Sequence, residues 1–317
     1  MTAPVLIAGA GPVGLTAALA LARHGVPSVL IDRGDGVACV GSRSICTARW
    51  TLEAFERLGC GRRMADEGVS WTIGRTYFRD VELFETRFPA VGREVFPPFI
   101  NLGQERVEGI LLERVAAEPL IETRWHHTLA WIGQSQDRVT AVANTPSGQV
   151  TLEASHLIGC DGARSTTRRL LELDFRGHSH TDKFLIIDLR ADLPFADERR
   201  FFFDHPRNPG RQVLIHPQPD KVWRIDWQVP ADLDLDEEGR SGRLDRRIRD
   251  LIGDIDYEIV WESAYVFHQR RAPRFRVGRV FLAGDAAHVF SPFGARGMNS
   301  GVQDAENLAW KLWLVRE

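Results

Sequence analysis

Three separated segments carry residue types at spacings that suit chemistry. The first is Gly9-Ala10-Gly11-Pro12-Val13-Gly14. Between a strand and a helix, Gly9 permits a tight turn and Gly11 lets the backbone approach a pyrophosphate. Gly14 lets the helix pack on the strand. The helix N-terminus adds free N–H groups and partial positive charge for phosphate oxygens. Asp32 lies 18 residues after Gly14, where an acid binds a ribose hydroxyl pair and disfavours a 2′-phosphate. The spacing predicts a dinucleotide site; a glycine turn serving packing alone is the alternative.

The second segment is Cys160-Asp161-Gly162-Ala163-Arg164-Ser165, which by itself reads equally well as an ordinary Asp-Gly turn. The third opens with Leu282-Ala283-Gly284-Asp285-Ala286-Ala287-His288 and continues from Ser291 to Gly301. Its strand ends in Gly-Asp, setting the Asp285 carboxylate close to backbone. Gly294 and Gly297 then feed a helix whose N-terminus stabilises negative charge on an electron-rich ring.

The elements that must position these segments follow from hydrophobic periodicity. Val5–Ala8 and Val29–Ile31 are short apolar runs, hence buried parallel strands, and Leu15–His24 between them is a helix stopped by Gly25. The opening is a βαβ unit. A helix is expected over Thr47–Leu58, strands and loops over 71–100, and a helix over Glu105–Ala117. Residues 121–153 read as a β-meander, with Leu157–Cys160 and Val280–Ala283 as further buried strands. Residues 175–270 alternate most strongly and are expected to form a mostly antiparallel sheet, with helix signals only at 241–252. A closing helix starts near Asn299 and is still running at Glu317, which reads as a chain cut short.

With 317 residues, one or two domains are expected. A hydrophobic content of 44% is ordinary for a soluble globular protein, and a net charge of −3 gives no reason to expect nucleic acid. Cys39, Cys46, Cys60 and Cys160 lack metal-type spacing, so no metal is expected and a reducing cytoplasm fits. Residues 3–22 have no basic lead and are broken by glycines, which argues against a signal peptide. No apolar run is long enough to span a bilayer.

Together, the three segments resemble the group A flavoprotein monooxygenases, the family of p-hydroxybenzoate hydroxylase, and within it the 3-(3-hydroxyphenyl)propionate hydroxylase branch. Gly41-Ser42-Arg43-Ser44-Ile45, Thr51-Leu52-Glu53 and Gln303-Asp304-Ala305 support the likeness, which runs from Ala3 to the end. The resemblance implies an α/β fold: a Rossmann-like FAD-binding domain (1–70, 101–174 and 271–317) interleaved with a mostly antiparallel β-sheet substrate domain (71–100 and 175–270). It implies tightly bound, non-covalent FAD, NAD(P)H as a transient electron donor, O2, and a small aromatic substrate hydroxylated through a flavin C4a-hydroperoxide. It also implies more chain beyond this point.

The resemblance assigns roles residue by residue. Gly9, Gly11 and Gly14 meet the FAD pyrophosphate and Asp32 the adenosine ribose, with Arg33 a further cofactor-binding residue. Arg43 and Gln104 reach the pyrophosphate and ribityl chain; a surface ion pair or the polar face of a helix is their alternative reading. Asp161 and Gly162 belong to a motif serving both FAD and NAD(P)H. Asp285 holds a ribityl hydroxyl, Pro292 lies beside C4a, and the backbone of Met298 and Asn299 faces N1 and O2, with Gly294 and Gly297 as further cofactor-binding residues. A phenol also needs deprotonation, so a polar side chain near the ring is expected. If residues 213–229 form one strand, His216, Arg224 and Asp226 share one face. His216 is the first candidate to contact substrate and Asp226 the second, with Tyr77 and Tyr265 behind them; a solvated face is the alternative. His288 reads as structural.

Three rivals are weighed. A flavin-dependent halogenase needs a Trp-x-Trp-x-Ile-Pro motif, which Trp223-Arg-Ile-Asp-Trp227 misses, and an essential lysine in a chain holding only Lys183, Lys221 and Lys311. A reductase or dehydrogenase on the same fold, and a truncated FAD-binding protein without turnover, remain alternatives.

Overall fold

The computed structural model describes residues 3–36, 43–88, 95–292 and 294–316. The apolar runs become a six-stranded sheet in the order Arg276–Val277, Val280–Leu282, His156–Gly159, Val5–Ala8, Ser28–Ile31, Ile121–Arg124. All neighbours are parallel except the first pair. Ala8 pairs with Gly159 and with Ile31, and Gly159 pairs with Leu282. These strands therefore end level, and the residues that follow them are Gly9, Asp32, Cys160 and Ala283. Ligands of open parallel sheets bind outside such carboxyl ends.

The helix Pro12–Arg23 begins with proline at its first position and stops before Gly25, whose φ of 72° few other residues adopt. Its Leu15 and Leu19 are buried with Leu111 of helix Gln104–Ala116 and with Val302 and Ala305 of helix Arg296–Leu314. The other face of the sheet is covered by the antiparallel meander Thr128–Gln134, Val139–Thr145 and Gly148–Ala154. The expected meander over 121–153 is thus corrected: Ile121–Arg124 leaves it to pair in parallel with Ser28–Ile31. The closing helix starts at Arg296, earlier than expected, and ends at Leu314.

Thr47–Leu58 is also corrected. Its helix spans Arg49–Arg57, while Cys46–Ala48 pairs with Phe99–Asn101, which also pairs with Val69–Trp71. The short helix Gly61–Glu67 was not expected.

The second large sheet has eight strands, in the order His288–Val289, Glu258–Arg271, Arg176–Arg190, Val222–Val229, Val213–Pro217, Arg199–Phe203, Ile73–Phe78, Val81–Arg87. Only the contact between Arg199–Phe203 and Ile73–Phe78 is parallel. Leu185, Ile187, Ile215, Ile225 and Trp227 pack one face against Leu244, Ile248 and Ile252 of helix Arg243–Ile252. The opposite face looks back toward the ends of the parallel strands.

The expected single strand over 213–229 is a hairpin. Asp220 and Lys221, with φ of 60° and 58°, turn the chain. His216 then pairs with Arg224, and Leu214 with Asp226. Even-numbered residues meet even-numbered ones, so His216, Arg224 and Asp226 still share one face.

Candidate active site

A cavity of about 950 Å³ runs between the carboxyl edge of the parallel sheet and the free face of the eight-stranded sheet. Gly9 and Gly11 line its parallel-sheet end. Gly9 has a φ of 107°, and a Cβ there would lie 2.4 Å from the Cys160 carbonyl oxygen. At Gly14 a Cβ would lie 1.8 Å from the Gly9 carbonyl oxygen, so this glycine serves close packing. At Gly11 a Cβ would meet nothing within 4 Å. Its open side faces the cavity beside the free N–H groups of the helix start, a cradle that fits a pyrophosphate.

Asp32 shapes that loop as well as bordering it. One carboxylate oxygen accepts from Ala10 N at 2.8 Å and the other from Gly34 N at 2.7 Å. Each oxygen keeps a lone pair for a further donor. Arg33 and Arg43 are exposed at the cavity, and Gln104 lines it while donating to Glu108 at 2.8 Å. Gly41, Ser42, Cys39 and Phe293 lie outside the described residues.

The Asp161 carboxylate is engaged within its own motif. It accepts from the Ser165 hydroxyl at 2.5 Å, Thr167 N at 2.8 Å and the Thr167 hydroxyl at 3.0 Å. Asp161 thus holds the loop in which Gly162 adopts a φ of 77°. Buried Arg168 stitches this motif to the third, donating to Ala163 O at 2.8 Å and Ala286 O at 2.9 Å.

The third motif bridges both large sheets, since Val280–Leu282 belongs to one and His288–Val289 to the other. Asp285 is open to the cavity yet surrounded by protein, and this burial raises its carboxyl pKa against the pull of nearby His288. His288 does not line the cavity. It pairs with Asp304 at 2.6 Å, and the same oxygen accepts from Gly284 N at 2.9 Å. At Gly284 and Gly301 a Cβ would come within 2.8 and 2.6 Å of the Val13 side chain. These glycines let the first and last helices close on each other.

Pro292, Gly294, Gly297 and Met298 line the cavity next to Asp285. Gly294 has a φ of 90°, and Ala295 (φ 54°) holds a left-handed conformation rare for alanine just before the helix. Asn299 does not line the cavity through its side chain. It accepts from Ala48 N at 2.9 Å and donates to Cys46 O at 2.9 Å and Ala295 O at 2.6 Å. This clamp holds Cys46–Ala48 in the extended form that displaced the expected helix.

At the other end, His216, Arg224 and Asp226 reach the cavity from the hairpin, with Tyr265 from strand Glu258–Arg271 of the same sheet. Burial, followed by Arg199 and Arg224, holds the His216 pKa well below its usual value. The imidazole is therefore neutral near pH 7; it can hydrogen-bond but cannot keep a proton. Arg224 donates to Asp226 at 3.0 Å. Burial pushes the Tyr265 pKa up, keeping its hydroxyl protonated. Tyr77 lies off the cavity, stacked on Phe202 at 4.5 Å. Opposite, Trp71 stacks on Phe99 at 4.7 Å and meets Phe88 edge-on at 5.9 Å, a wall suited to an aromatic ring.

Arg168, Arg199 and Asp304 were not singled out as site residues from sequence. Asp304, at helical spacing from the glycine loop, was the most findable of the three. Among the described residues no group of His, Cys, Asp and Glu is placed to hold a metal ion, and no helix is long and apolar enough to cross a membrane.

Comparisons with known proteins agree with this geometry. The family described as "FAD binding domain" matches residues 2–317. A flavin-dependent monooxygenase of Mycobacteroides abscessus is 33% identical over 98% of this chain and 67% of its own length. A 3-(3-hydroxy-phenyl)propionate/3-hydroxycinnamic acid hydroxylase of Mycolicibacterium smegmatis is 30% identical over 98% of this chain but 55% of its own length. The chain thus spans little more than half of that hydroxylase. The crystal structure of p-nitrophenol 4-monooxygenase from Pseudomonas putida DLL-E4 superposes with a TM-score of 0.89 at 28% identity, covering 99% of this chain and 80% of that one. With the open glycine cradle, the level strand ends and the facing sheet all in place, the chain belongs to the FAD-binding-domain family of flavin-dependent aromatic monooxygenases.

Proposed function

We propose that the protein hydroxylates a phenolic or related aromatic substrate, using FAD, NAD(P)H and O2. The observation that carries this reading is the single cavity, with a phosphate cradle at one end and an aromatic and polar chamber at the other. Once bound, the flavin supplies the redox chemistry, accepting electrons from NAD(P)H and activating O2. The chain's own residues bind, orient and exclude water.

In this reading the open side of Gly11 and the helix N-terminus hold the pyrophosphate, with Arg43 and Gln104 flanking it. Asp32 and Arg33 take the adenosine ribose, and Asp285 a ribityl hydroxyl. Gly162 and the loop that Asp161 braces form the rim where NAD(P)H approaches. Pro292, on the cavity lining, would face the ring system. Gly294, Gly297 and Met298 offer backbone and helix dipole to its electron-rich end, while Asn299 fixes that helix start. Residues 1–70, 101–174 and 271–317 act as the FAD-binding part, and 71–100 and 175–270 as the substrate part. Trp71, Phe88 and Phe99 give the aromatic ring an apolar wall, and His216 and Asp226 face it from the sheet. The buried, unpaired thiols of Cys46, Cys60 and Cys160 accord with work in a reducing cytoplasm.

The test is to purify the protein, record its visible spectrum, and follow NADH and NADPH oxidation in air with a panel of phenols. Flavin absorbance, phenol-stimulated oxidation and a product heavier by one oxygen atom are expected. A protein that stays colourless after incubation with FAD would overturn the reading. A yellow protein that oxidises NAD(P)H but never hydroxylates would replace it with the reductase alternative.

A further inference from the structure

The amino-terminal edge of the parallel sheet, opposite the cavity, gathers positive charge around one buried imidazole. Val5 pairs with His156, and Leu157 with Val280, so these three strands start level and the residues before them meet. Ser155 and His156 lie at the centre. Arg279 donates to Ser155 O at 3.3 Å and to His156 Nε2 at 3.1 Å. Arg316, in the turn after the last helix, donates to the Ser155 hydroxyl, and to Ala3 O at 2.8 Å. Arg276 lies 5.2 Å over the Phe281 ring, and the His156 ring centre lies 6.0 Å from that same ring. None of these residues lines the cavity.

Among the described residues, the three guanidiniums donate only to neutral acceptors: backbone carbonyls, one hydroxyl and one imidazole. The carboxylates of Asp137, next to Gln136, and of Glu153, two residues before Ser155, are both taken by Arg138. Arg279 and Arg316 are half-buried. His156 is 5% exposed, and burial, followed by Arg279, Arg316 and Arg276, lowers its pKa to about 4. The imidazole is therefore neutral. Its Nε2 accepts from Arg279, which leaves the proton on Nδ1, an atom with no partner. Cations drawn partly out of water and crowded together are costly, and an anion that reaches them is strongly favoured.

We propose that this edge binds a phosphate-class dianion, held by Arg279 and Arg316 with Arg276 beside them. Among the described residues the Nη2 groups of Arg279 and Arg316 make no hydrogen bond, so each has donors left for an oxyanion. Several guanidinium donors suit the several oxygens of a tetrahedral anion, and three positive charges favour two negative ones over one. The bound anion ties the end of helix Arg296–Leu314 to the starts of strands Val5–Ala8 and His156–Gly159. It thereby stabilises the docked position of a helix whose other end borders the cavity. The site is independent of the hydroxylase reading.

The test is calorimetric titration of the protein with inorganic phosphate, with FAD present to fill the cradle at Gly11 and ionic strength held constant with sodium chloride. A saturable site is expected, weakened about tenfold or more in Arg279→Gln and in Arg316→Gln. Arg138→Gln, which removes an arginine already paired with Asp137 and Glu153, should bind phosphate like wild type. Acetate should bind wild type about tenfold or more weakly than phosphate, since it carries one charge. Phosphate should also raise the urea midpoint of wild type to a plateau while leaving Arg279→Gln unmoved; a general effect of excluded salt raises both alike. Arg276→Gln, an exposed change, should weaken binding severalfold and keeps the test open if the other variants fail to fold. Glycerol 2-phosphate separates two sources of the dianion. Binding as tight as inorganic phosphate assigns a phosphate ester, and failure to bind assigns the free anion. Absence of saturable phosphate binding in wild type, or binding as tight in all three of Arg276→Gln, Arg279→Gln and Arg316→Gln, overturns the proposal. Arginine-dependent capture of phosphate by a protein that never hydroxylates would sink only the functional reading.

Discussion

Gly9 and Gly11 are two residues apart, yet alanine at each should do opposite things. At Gly9 the φ of 107° is one that alanine rarely adopts, and the new Cβ would sit 2.4 Å from the Cys160 carbonyl oxygen, which is backbone and cannot swing away. Strain of about 1–3 kcal/mol and the displacement of a buried strand end add up, so Gly9→Ala should cost about 3 kcal/mol or more in folding. At Gly11 the φ is −76° and the Cβ meets no protein atom within 4 Å. Alanine there restricts the unfolded chain and should leave the FAD-free protein as stable as wild type, or about 0.4–1 kcal/mol more stable. The methyl group instead occupies the space where a pyrophosphate would touch backbone. Losing one or two charge-assisted hydrogen bonds of about 1.5–3 kcal/mol each predicts FAD binding weakened by on the order of 100-fold. Urea denaturation of the FAD-free proteins reads the first quantity, and quenching of flavin fluorescence on titration reads the second. A Gly11→Ala protein that binds FAD like wild type would refute the placement of the pyrophosphate. One that unfolds without FAD would refute the packing argument.

Three further outcomes are expected. Asp304→Ala strands the Gly284 N–H and His288, and should cost about 1–3 kcal/mol by urea denaturation while weakening FAD retention; unchanged stability would dissolve the clamp. Trp227, 2% exposed behind the hairpin, should cost about 3–5 kcal/mol as Trp227→Ala, with the FAD-binding end still able to take up flavin. Burial lowers the pKa of His216 and His205, and that of His156 to about 4. The unfolded chain then binds more protons than the folded one below about pH 6.5, so stability should fall as pH drops from there toward 4. A flat urea profile across that window would show that these imidazoles are not held neutral.

Much of the fold could be read from the chain because its signals are local. Val5–Ala8, Ser28–Ile31 and His156–Gly159 are buried on both faces, so four apolar residues between turns suffice to mark each. The parity of His216, Arg224 and Asp226 survived a wrong topology only because the hairpin joins even to even. Where sequence reading failed, distant residues decided. Cys46–Ala48 is extended because Asn299, some 250 positions later, binds its backbone at both ends. Ile121–Arg124 resembles a meander strand but finds its place beside Ser28–Ile31. The seven-residue helix Gly61–Glu67 is too short to show a period. Arg199 is one of many arginines in sequence; strand register turns it toward the cavity.

The closure of the first helix on the last, with Val13 seated against Gly284 and Gly301, also sets a timetable. Gly9 leaves the ribosome well before Gly297, and both border the same cavity. At about 5–20 residues per second, some tens of seconds of synthesis separate them. For about the first half of that interval Val5–Ala8 has only Ser28–Ile31 as a sheet neighbour, because His156–Gly159 has yet to be made. The nascent chain therefore carries an apolar strand with one open side until that strand emerges. In the proposed reading FAD can stabilise the fold by mass action only once the helix Arg296–Leu314 has docked, so a shortage of flavin should be felt after that helix is made, as slow release of newly made protein from chaperones.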